Sequence, residues 1–203
     1  MTDGSSPIDF YFDFSSPYGY IASQLAEDFE KRVGRPMRWR PILLGAIFKV
    51  TGQPPLVDVP MKGDYSRRDF ARSARMHKVE YHAPDKFPVS TVAACRAFYW
   101  IDERDPGRAR QLAKALYRAY FVNGVDIGPA PAVVEVARAA GADADGLANG
   151  LEDPALKERV KNEVDAAIAA GVFGSPYFVV DGEPFWGTDR MPMLEAWIRT
   201  GGW

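Results

Sequence analysis

The first forty residues carry two hydrophobic periods in succession. Residues 8–14 alternate between apolar and more polar side chains, and this period of two predicts a strand. Pro17 suits the first turn of a helix. Apolar residues then recur at every fourth position over 21–33, which is typical of one helix face. Gly34 and Pro36 mark the end of that predicted helix.

The rest of the chain predicts one more strand, a long block of helices, and a final hairpin followed by a helix. The second strand is short and covers 37–41. Residues 53–65 are rich in proline and glycine and are predicted to form a loop. The predicted helices cover about 44–52, 66–78, 90–104, 106–124, 131–140 and 154–171, and the last strands and helix cover 172–180, 183–186 and 190–200. This order predicts an α/β fold in which helices cover the faces of a mixed sheet.

Size and composition narrow the class of protein. With 203 residues and a net charge of −2, the chain is most simply one domain. Its charge gives no reason to expect nucleic acid as a partner. No apolar stretch is long enough to span a bilayer, so no membrane partner is expected. The polar residues 1–6 lack the charged and apolar regions of a secretory signal.

Cys95 is the only cysteine and cannot form an intramolecular disulfide. Together with the missing signal, this favours a reducing, cytoplasmic setting. Cys95 lies in the predicted helix 90–104, where a buried structural thiol is the main interpretation and a catalytic nucleophile is the alternative. A nucleophile needs a nearby base, and the two histidines, His77 and His82, lie in a different stretch and receive no role.

Ser16 stands where the first strand turns into the first helix. As a helix N-cap it would accept a backbone N–H and stabilise the helix by about 1 kcal/mol. The same helix end would stabilise an anion through its free N–H groups and its partial positive charge. A serine nucleophile needs an adjacent base and no triad is evident, so an exogenous thiol fits better. The cap and the thiolate holder both stay open as interpretations.

A bound thiol would need help to ionise at neutral pH. Its ordinary pKa is about 8.5 to 9, and lowering that pKa by about two units requires about 2.7 kcal/mol. A helix dipole supplies about 0.3–1 kcal/mol, and a hydroxyl hydrogen bond to the thiolate adds about 1.5–3 kcal/mol. The helix end and the Ser16 hydroxyl together therefore reach the required stabilisation.

Two further motifs lie near the end of the chain. Pro176 directly precedes a predicted strand, and this position alone predicts the common trans form. A cis proline facing the first helix is favoured only when Pro176 is taken together with the Ser16 motif. Ser175 would then pair its backbone with a peptide-like ligand by strand addition. Thr188 and Asp189 precede the last predicted helix. They are candidates for capping that helix and for holding the ammonium and carboxylate of an amino-acid moiety.

Three motifs together resemble a known family. They are Phe12-Asp13-Phe14-Ser15-Ser16-Pro17, Phe173-Gly174-Ser175-Pro176 and Phe185-Trp186-Gly187-Thr188-Asp189-Arg190. They are similar to motifs of the 2-hydroxychromene-2-carboxylate isomerases and, slightly less closely, of the kappa-class glutathione transferases. The resemblance covers nearly the whole chain. It implies a thioredoxin-like fold of the DsbA branch, with thioredoxin-like parts at about 1–43 and 172–203 and a helical insertion at about 44–171.

The same resemblance implies glutathione as a cofactor and assigns residues to it. Ser16 would stabilise the glutathione thiolate, and Lys62 would meet the glycyl carboxylate. The residues that would hold the glutathione backbone and its γ-glutamyl end are Ser175, Pro176, Thr188 and Asp189.

The substrate side departs from the family pattern. Lys49 would face the substrate carboxylate. Gln53, which is assigned to both glutathione and the substrate, stands where the family usually has asparagine. Pro54 stands where the aromatic isomerases often have arginine, and Phe87 where they have an active-site tyrosine. The implied substrate is 2-hydroxychromene-2-carboxylate or a similar small aromatic carboxylate from aromatic hydrocarbon catabolism. The implied assembly is a homodimer.

Two other functions stay open. A kappa-like transferase would leave glutathione in its product, whereas a non-catalytic thioredoxin-fold binding protein would show no turnover. A disulfide oxidoreductase is not expected, because the active-site segment has no cysteine. The basic run from Arg67 to Lys78 is interpreted as a solvated helix face, with recruitment of an anionic aromatic acid as the alternative.

Overall fold

The computed structural model describes residues 6–203. The absence of a secretory signal, predicted from the polar start of the chain, rests largely on residues 1–5 and lies outside the described part. Within residues 6–203, no helix has both the length and the apolar run that crossing a membrane would need.

The first strand–helix–strand unit forms as the hydrophobic pattern predicts. It consists of strand β1 (Ile8–Phe12), helix α1 (Pro17–Val33) and strand β2 (Met37–Pro41). Gly34 ends α1 with a φ of 68°, a left-handed conformation that glycine adopts at no steric cost. The strand is two residues shorter than predicted, because the chain already turns at residues 13–15 toward the helix.

Seven helices lie between the second and third strands. They are α2 (Leu44–Thr51), α3 (Lys62–Met76), α4 (Val92–Asp102), α5 (Pro106–Phe121), α6 (Ala130–Ala139), α7 (Ala144–Gly150) and α8 (Pro154–Ala169). The predicted loop over 53–65 is wrong in part, since it contains a 3-10 turn at Leu56–Asp58 and the first residues of α3. Helix α7 was not predicted. Asp143 caps it by accepting from the Gly146 N–H, while the glycines inside it weaken its sequence signal.

The chain ends with strands β3 (Tyr177–Val180) and β4 (Glu183–Trp186) and helix α9 (Met191–Thr200). The predicted strand over 172–180 begins only at Tyr177, because the preceding residues form the loop that contains Pro176. The sheet order is β2-β1-β3-β4. Strands β1 and β2 are parallel, while β3 runs antiparallel to β1 and to β4. The sheet is therefore mixed, as predicted.

Both faces of the sheet are covered. Phe10, Phe12 and Phe178 are fully buried and belong to the main core with side chains of α1, α4 and α5. On the other face, Tyr11 and Tyr177 pack in a smaller cluster with side chains of α2 and α8. The strand ends that carry the Ser16 and Pro176 motifs are thus held by packing on both sides.

Candidate functional site

The turn between β1 and α1 forms the centre of the site. Ser16 is the N-cap of α1, and its Oγ accepts a hydrogen bond from the Gly19 N–H at 3.0 Å. Its own backbone N–H donates to the Asp13 carbonyl at 2.9 Å. The side chain is buried. The predicted capping role of Ser16 is confirmed, and the cap fixes the hydroxyl at the positive end of the helix.

Ser16 also joins the two motifs that are farthest apart in the sequence. Its Oγ donates to the carbonyl of Ser175 at 3.0 Å. The Ser175–Pro176 peptide bond is cis, as predicted. In return, the Asp13 N–H donates to the Ser175 Oγ at 3.0 Å. Two reciprocal hydrogen bonds therefore hold the proline loop against the start of α1.

The charges of α1 favour an anion at this end of the helix. Its first turn carries no acidic residue, and its last turn carries Lys31 and Arg32. These are the positions at which cations complement a helix macrodipole, and its N-terminus is then left free for a negative charge. A thiolate placed beside Ser16 would meet both the helix end and the hydroxyl.

A buried carboxylate that the sequence reasoning did not assign lies directly beneath this turn. Asp13 accepts hydrogen bonds from the Ser15 N–H at 2.7 Å, the Leu44 N–H at 2.8 Å and the Thr91 hydroxyl at 3.3 Å. Burial raises the pKa of Asp13 to about 6, against the lowering effect of these hydrogen bonds. The carboxylate ties the active-site turn to the first residues of α2 and α4. Its sequence signal is an acidic residue inside an otherwise apolar run.

Two further residues complete the packing under the turn. The Tyr117 hydroxyl donates to the Asp13 carbonyl at 2.9 Å, and burial raises the pKa of Tyr117 well above its usual value. A Cβ on Gly19 would lie 2.7 Å from both the Ser175 Oγ and the Tyr117 hydroxyl. Position 19 therefore requires glycine, although nothing in the local helical pattern singles it out.

The Thr188 motif reaches the same helix end from the other side. Thr188 is buried, and its hydroxyl donates to the Tyr18 carbonyl at 2.9 Å. Asp189 is exposed and pairs with the neighbouring Arg190 at 2.9 Å. Both residues lie in a second 3-10 turn, Thr188–Arg190. Neither caps a helix through its side chain, since Gly187 is the N-cap of that turn and Arg190 is the N-cap of α9. The capping interpretation of Thr188 and Asp189 is wrong. Thr188 lies beside the first turn of α1, and the binding of an amino-acid moiety by the two residues stays a prediction.

The residues predicted for substrate and for the glycyl carboxylate are all exposed. Lys49 lies in the last turn of α2, Gln53 and Pro54 follow that helix, and Lys62 is the first residue of α3. Helix α2 starts at the site, because its Leu44 N–H donates to Asp13. The four predicted side chains follow this start along α2, the segment after it and the first residue of α3, and their contacts with a ligand stay a prediction.

An aromatic chain connects Phe87 to the start of α1. The Phe87 ring packs against Phe70 with 6.0 Å between centroids, and Phe70 packs against Tyr18 at 5.0 Å. The Tyr18 hydroxyl donates to Asp69 of α3 at 2.5 Å. Phe87 is therefore linked through α3 to the first turn of α1. It offers no hydroxyl there, unlike the tyrosine that the family resemblance predicts at this position.

Three other candidate groups lie apart from this chemistry. Cys95 is buried and its Sγ lies 3.5 Å from the Ile42 carbonyl, while burial raises the pKa of its thiol. These observations confirm the structural interpretation of Cys95. His82 is exposed and its Nδ1 lies 2.8 Å from the Val122 carbonyl, and His77 follows the last residue of α3. Among residues 6–203, no group of three or more histidine, cysteine or acidic side chains has the spacing of a metal site.

Comparisons with known proteins agree with this architecture. A family model described as a DSBA-like thioredoxin domain matches residues 7–199. A 2-hydroxychromene-2-carboxylate isomerase of Sphingobium xenophagum is 31% identical over 196 residues, which cover 94% of this chain and 97% of that protein. Glutathione S-transferase kappa 1 of Rattus norvegicus is 26% identical over 94% of this chain and 92% of its own length.

A solved structure extends the agreement to three dimensions. A selenomethionine 2-hydroxychromene-2-carboxylate isomerase matches with a TM-score of 0.86 and 26% identity, covering 96% of this chain and 95% of that one. The predicted thioredoxin-like fold with a large helical insertion is confirmed.

Proposed function

The chain belongs to the DSBA-like thioredoxin family, and we propose that it is an isomerase that uses glutathione to isomerise 2-hydroxychromene-2-carboxylate or a similar aromatic carboxylate. Relatives named as isomerases of that compound and as glutathione transferases support the proposal. We also propose that the protein acts in the cytoplasm as a homodimer, in aromatic hydrocarbon catabolism.

One observation carries the proposal: the hydrogen bond from Ser16 Oγ to the Ser175 carbonyl. It pairs a donor that suits a thiolate with an acceptor that suits the backbone N–H of a peptide-like ligand. Glutathione offers both partners, so its binding would exchange one internal bond for two bonds to the ligand. A serine has one hydroxyl proton, so its bond to Ser175 must break before it can serve the sulfur. With or without the ligand, the Oγ continues to accept the hydrogen bond from the Gly19 N–H.

The turn itself holds no thiol, since the only cysteine is the buried Cys95. When bound, glutathione would supply a thiolate that adds reversibly to a conjugated carbon, so that the ring can open and a double bond can rotate as a single bond before the thiolate leaves. Ser16 and the end of α1 would stabilise that thiolate. Lowering the pKa of the thiol by about two units requires about 2.7 kcal/mol of stabilisation from them.

The remaining predicted residues would orient the cofactor and the substrate. Ser175 would hold the glutathione backbone beside cis Pro176, and the segment at Thr188 and Asp189 would hold the γ-glutamyl end. Because the Thr188 hydroxyl is already bonded to Tyr18, we expect its backbone to make the contact. The positions that would face the carboxylates and the substrate are Lys49, Gln53, Pro54 and Lys62.

A kappa-like glutathione transferase is the second candidate, because a kappa transferase matches over a similar share of the chain. The two activities differ in what happens to glutathione, which the isomerase returns and the transferase leaves in its product. Counting free thiol before and after turnover with an electrophile separates them. A non-catalytic binding protein would show neither outcome.

The first experiment is a calorimetric titration with glutathione, with thiolate absorbance read on the same samples. We expect saturable binding and a bound thiol whose pKa is lowered by about two units. Ser16→Ala should raise that pKa by about one to two units, the equivalent of a hydroxyl–thiolate hydrogen bond. Ser15→Ala is the matched control, since the Ser15 Oγ accepts from the Val89 N–H and should leave the thiol pKa unchanged.

Each outcome separates one part of the proposal from the rest. An unchanged thiol pKa in Ser16→Ala would remove the role of Ser16 as thiolate stabiliser while leaving glutathione as the cofactor. Absence of binding at millimolar glutathione would remove both enzyme proposals and leave the thioredoxin-fold binding protein.

A further inference from the structure

A cavity lies at the outer edge of β4, away from Ser16. Its volume is about 340 Å³, within the size range of small-molecule sites. Strand β4 and helix α9 form two of its sides, and the turn that follows α9 forms a third. The lining residues are Glu183, Pro184, Phe185, Trp186, Arg190, Met193, Trp197 and Trp203.

Three of the five tryptophans of the chain line this cavity. The turn after α9 folds Trp203 back onto Trp197, with 5.0 Å between ring centroids. Gly201 and Gly202 make this possible, since both have positive φ and both donate to the Trp197 carbonyl. A Cβ on Gly202 would lie 2.9 Å from the Trp197 ring. The indoles are thus brought together by a backbone arrangement that only glycine fits well.

The aromatic walls remain open to solvent. Trp203 is 72% exposed and Met193 is 46% exposed, whereas the Trp186 indole packs against Phe173 on the other face of β4, with 4.9 Å between centroids. Side chains of this size are seldom left exposed together on a protein surface, and an exposed apolar patch usually marks a binding site. Their flat faces suit a planar aromatic ring.

Arg190 gives the cavity its charge preference. Its guanidinium pairs with the adjacent Asp189, and both side chains are largely exposed. Five N–H donors allow an arginine to bind a second carboxylate beside the first. Glu183 also lines the cavity, so the charge there is mixed and only a ligand that reaches Arg190 is favoured.

A cavity at the opposite edge of the sheet provides a comparison, because its arginines are less able to bind an added anion. It has a volume of about 550 Å³ and is lined by Arg40 and Arg159. Arg40 pairs with Asp9 and Glu163. Arg159 pairs with two further carboxylates, those of Asp102 and Glu103. Each guanidinium there already serves two acids, whereas Arg190 serves one.

The backbone of β4 argues against a protein strand as the occupant. β4 is the outermost strand of the sheet, and an exposed strand edge normally offers N–H groups to another chain. Pro184 pairs with Val179 in the middle of β4 and has no N–H. The edge therefore lacks a donor where an added strand would need one.

We propose that this cavity is an accessory site for a planar aromatic carboxylate, which stacks against the indoles of Trp197 and Trp203 and pairs its carboxylate with Arg190. The site is separate from the Ser16 turn and does not depend on the proposed isomerase function. Only the segment from Gly187 to Asp189 lies between Trp186 and Arg190, so the two sites share one boundary.

The test is a titration with 2-naphthoate, followed by tryptophan fluorescence and by calorimetry. We expect a site whose affinity for 2-naphthoate is the same in wild type, Ser16→Ala and Lys49→Ala, beside any binding of this carboxylate at the proposed substrate positions. Arg190→Gln should weaken 2-naphthoate about tenfold through the lost charge-assisted pair and leave the neutral analogue 2-naphthylmethanol unaffected. Trp203→Ala should weaken both ligands by a similar factor. Arg199→Gln, which removes an exposed arginine of α9 paired with Glu195, is the matched control and should change neither.

Three results would overturn the proposal. Equal affinity of wild type and Arg190→Gln for 2-naphthoate would remove the carboxylate recognition. Loss of the binding in Ser16→Ala or in Lys49→Ala would assign it to the proposed active site. Absence of 2-naphthoate binding combined with a dimer that Trp203→Ala converts to monomer would show that this face is an interface between two copies of the chain.

Discussion

The two halves of the candidate site are built in opposite ways. At the β1–α1 turn, Asp13, Ser16 and Ser175 are buried, and each makes hydrogen bonds to another part of the chain. Along α2 and the start of α3, the predicted side chains are exposed, from Lys49 to Lys62. The buried turn is therefore arranged by the protein before any ligand arrives, whereas the exposed half, which includes the proposed glutathione contact Lys62, leaves its polar groups to the ligand.

This difference separates stability from affinity. At the turn, a changed side chain leaves a buried polar group without its partner, which costs about 1–3 kcal/mol. On the exposed half, most substitutions change the free energy of unfolding by no more than about 0.5 kcal/mol. Mutations in the first half should therefore affect folding and cofactor binding together, and mutations in the second half should affect binding alone.

The largest effect is expected from Gly19→Ala. The added methyl group would lie 2.7 Å from the Ser175 Oγ and the Tyr117 hydroxyl, and both atoms are buried and hydrogen-bonded. We expect the free energy of unfolding to fall by about 1–3 kcal/mol, the usual cost of overpacking, together with weaker glutathione binding. Urea unfolding and calorimetry measure the two effects.

Gly45→Ala is the matched control in the other half of the site. Gly45 lies in α2, and a Cβ there meets no atom within 4 Å. Alanine should raise the stability by up to about 1 kcal/mol through its better helix propensity. If Gly19→Ala and Gly45→Ala changed the free energy of unfolding by the same amount, the contrast between the buried turn and the exposed half of the site would be refuted.

A pH effect of intermediate size is expected from Asp13. Because burial raises its pKa to about 6, the folded protein binds more protons at this group than the unfolded chain does between about pH 4 and pH 6. The contribution of Asp13 to stability is thus fully present at low pH and falls as the pH rises through about 6. We expect wild type to lose about 2 kcal/mol relative to Asp13→Asn between about pH 4.5 and about pH 7.5.

The comparison with a variant is necessary because other acids titrate in the opposite sense. Salt bridges lower the pKa values of Asp9 and Asp181, and their contributions are lost as the pH falls. Chemical unfolding of wild type, Asp13→Asn and the exposed control Asp58→Asn over this range isolates the Asp13 contribution. A wild-type curve parallel to that of Asp13→Asn would contradict it.

The same two halves explain what the sequence could predict. Alternation over 8–14, the cap at Ser16 and the stop at Gly34 are local signals, so the first strand and helix were predicted closely. The cis Ser175–Pro176 bond was predicted only because a family resemblance paired two distant motifs. Asp13, Gly19 and Tyr117 were not assigned, because their roles arise from contacts between residues up to 162 positions apart, which no local pattern encodes.

The start of α3 was predicted wrongly for a different reason, because here a local signal was present but misleading. Residues 53–65 contain proline and glycine, so a loop was expected, yet α3 begins at Lys62 directly after Met61, whose φ is 67°. That backbone conformation is rare outside glycine. The Gly63 N–H donates to the Val59 carbonyl at 2.9 Å, so the preceding turn leads into the helix. Tertiary context overrode the composition of the segment.

The smallest effects are expected from substitutions of the exposed lysines Lys49 and Lys62. These substitutions test the exposed half of the site directly. Lys62→Ala should weaken glutathione, and Lys49→Ala should raise the KM for the aromatic carboxylate. Each change should be up to about fivefold, because an exposed ion pair contributes about 0.2–1 kcal/mol. Neither variant should change the kcat or shift the urea midpoint, since neither side chain is buried. Lys161→Ala, an exposed lysine of α8 paired with Glu158, is the control. A fall in kcat in Lys49→Ala would show that this half also acts on the transition state and is organised before the substrate binds.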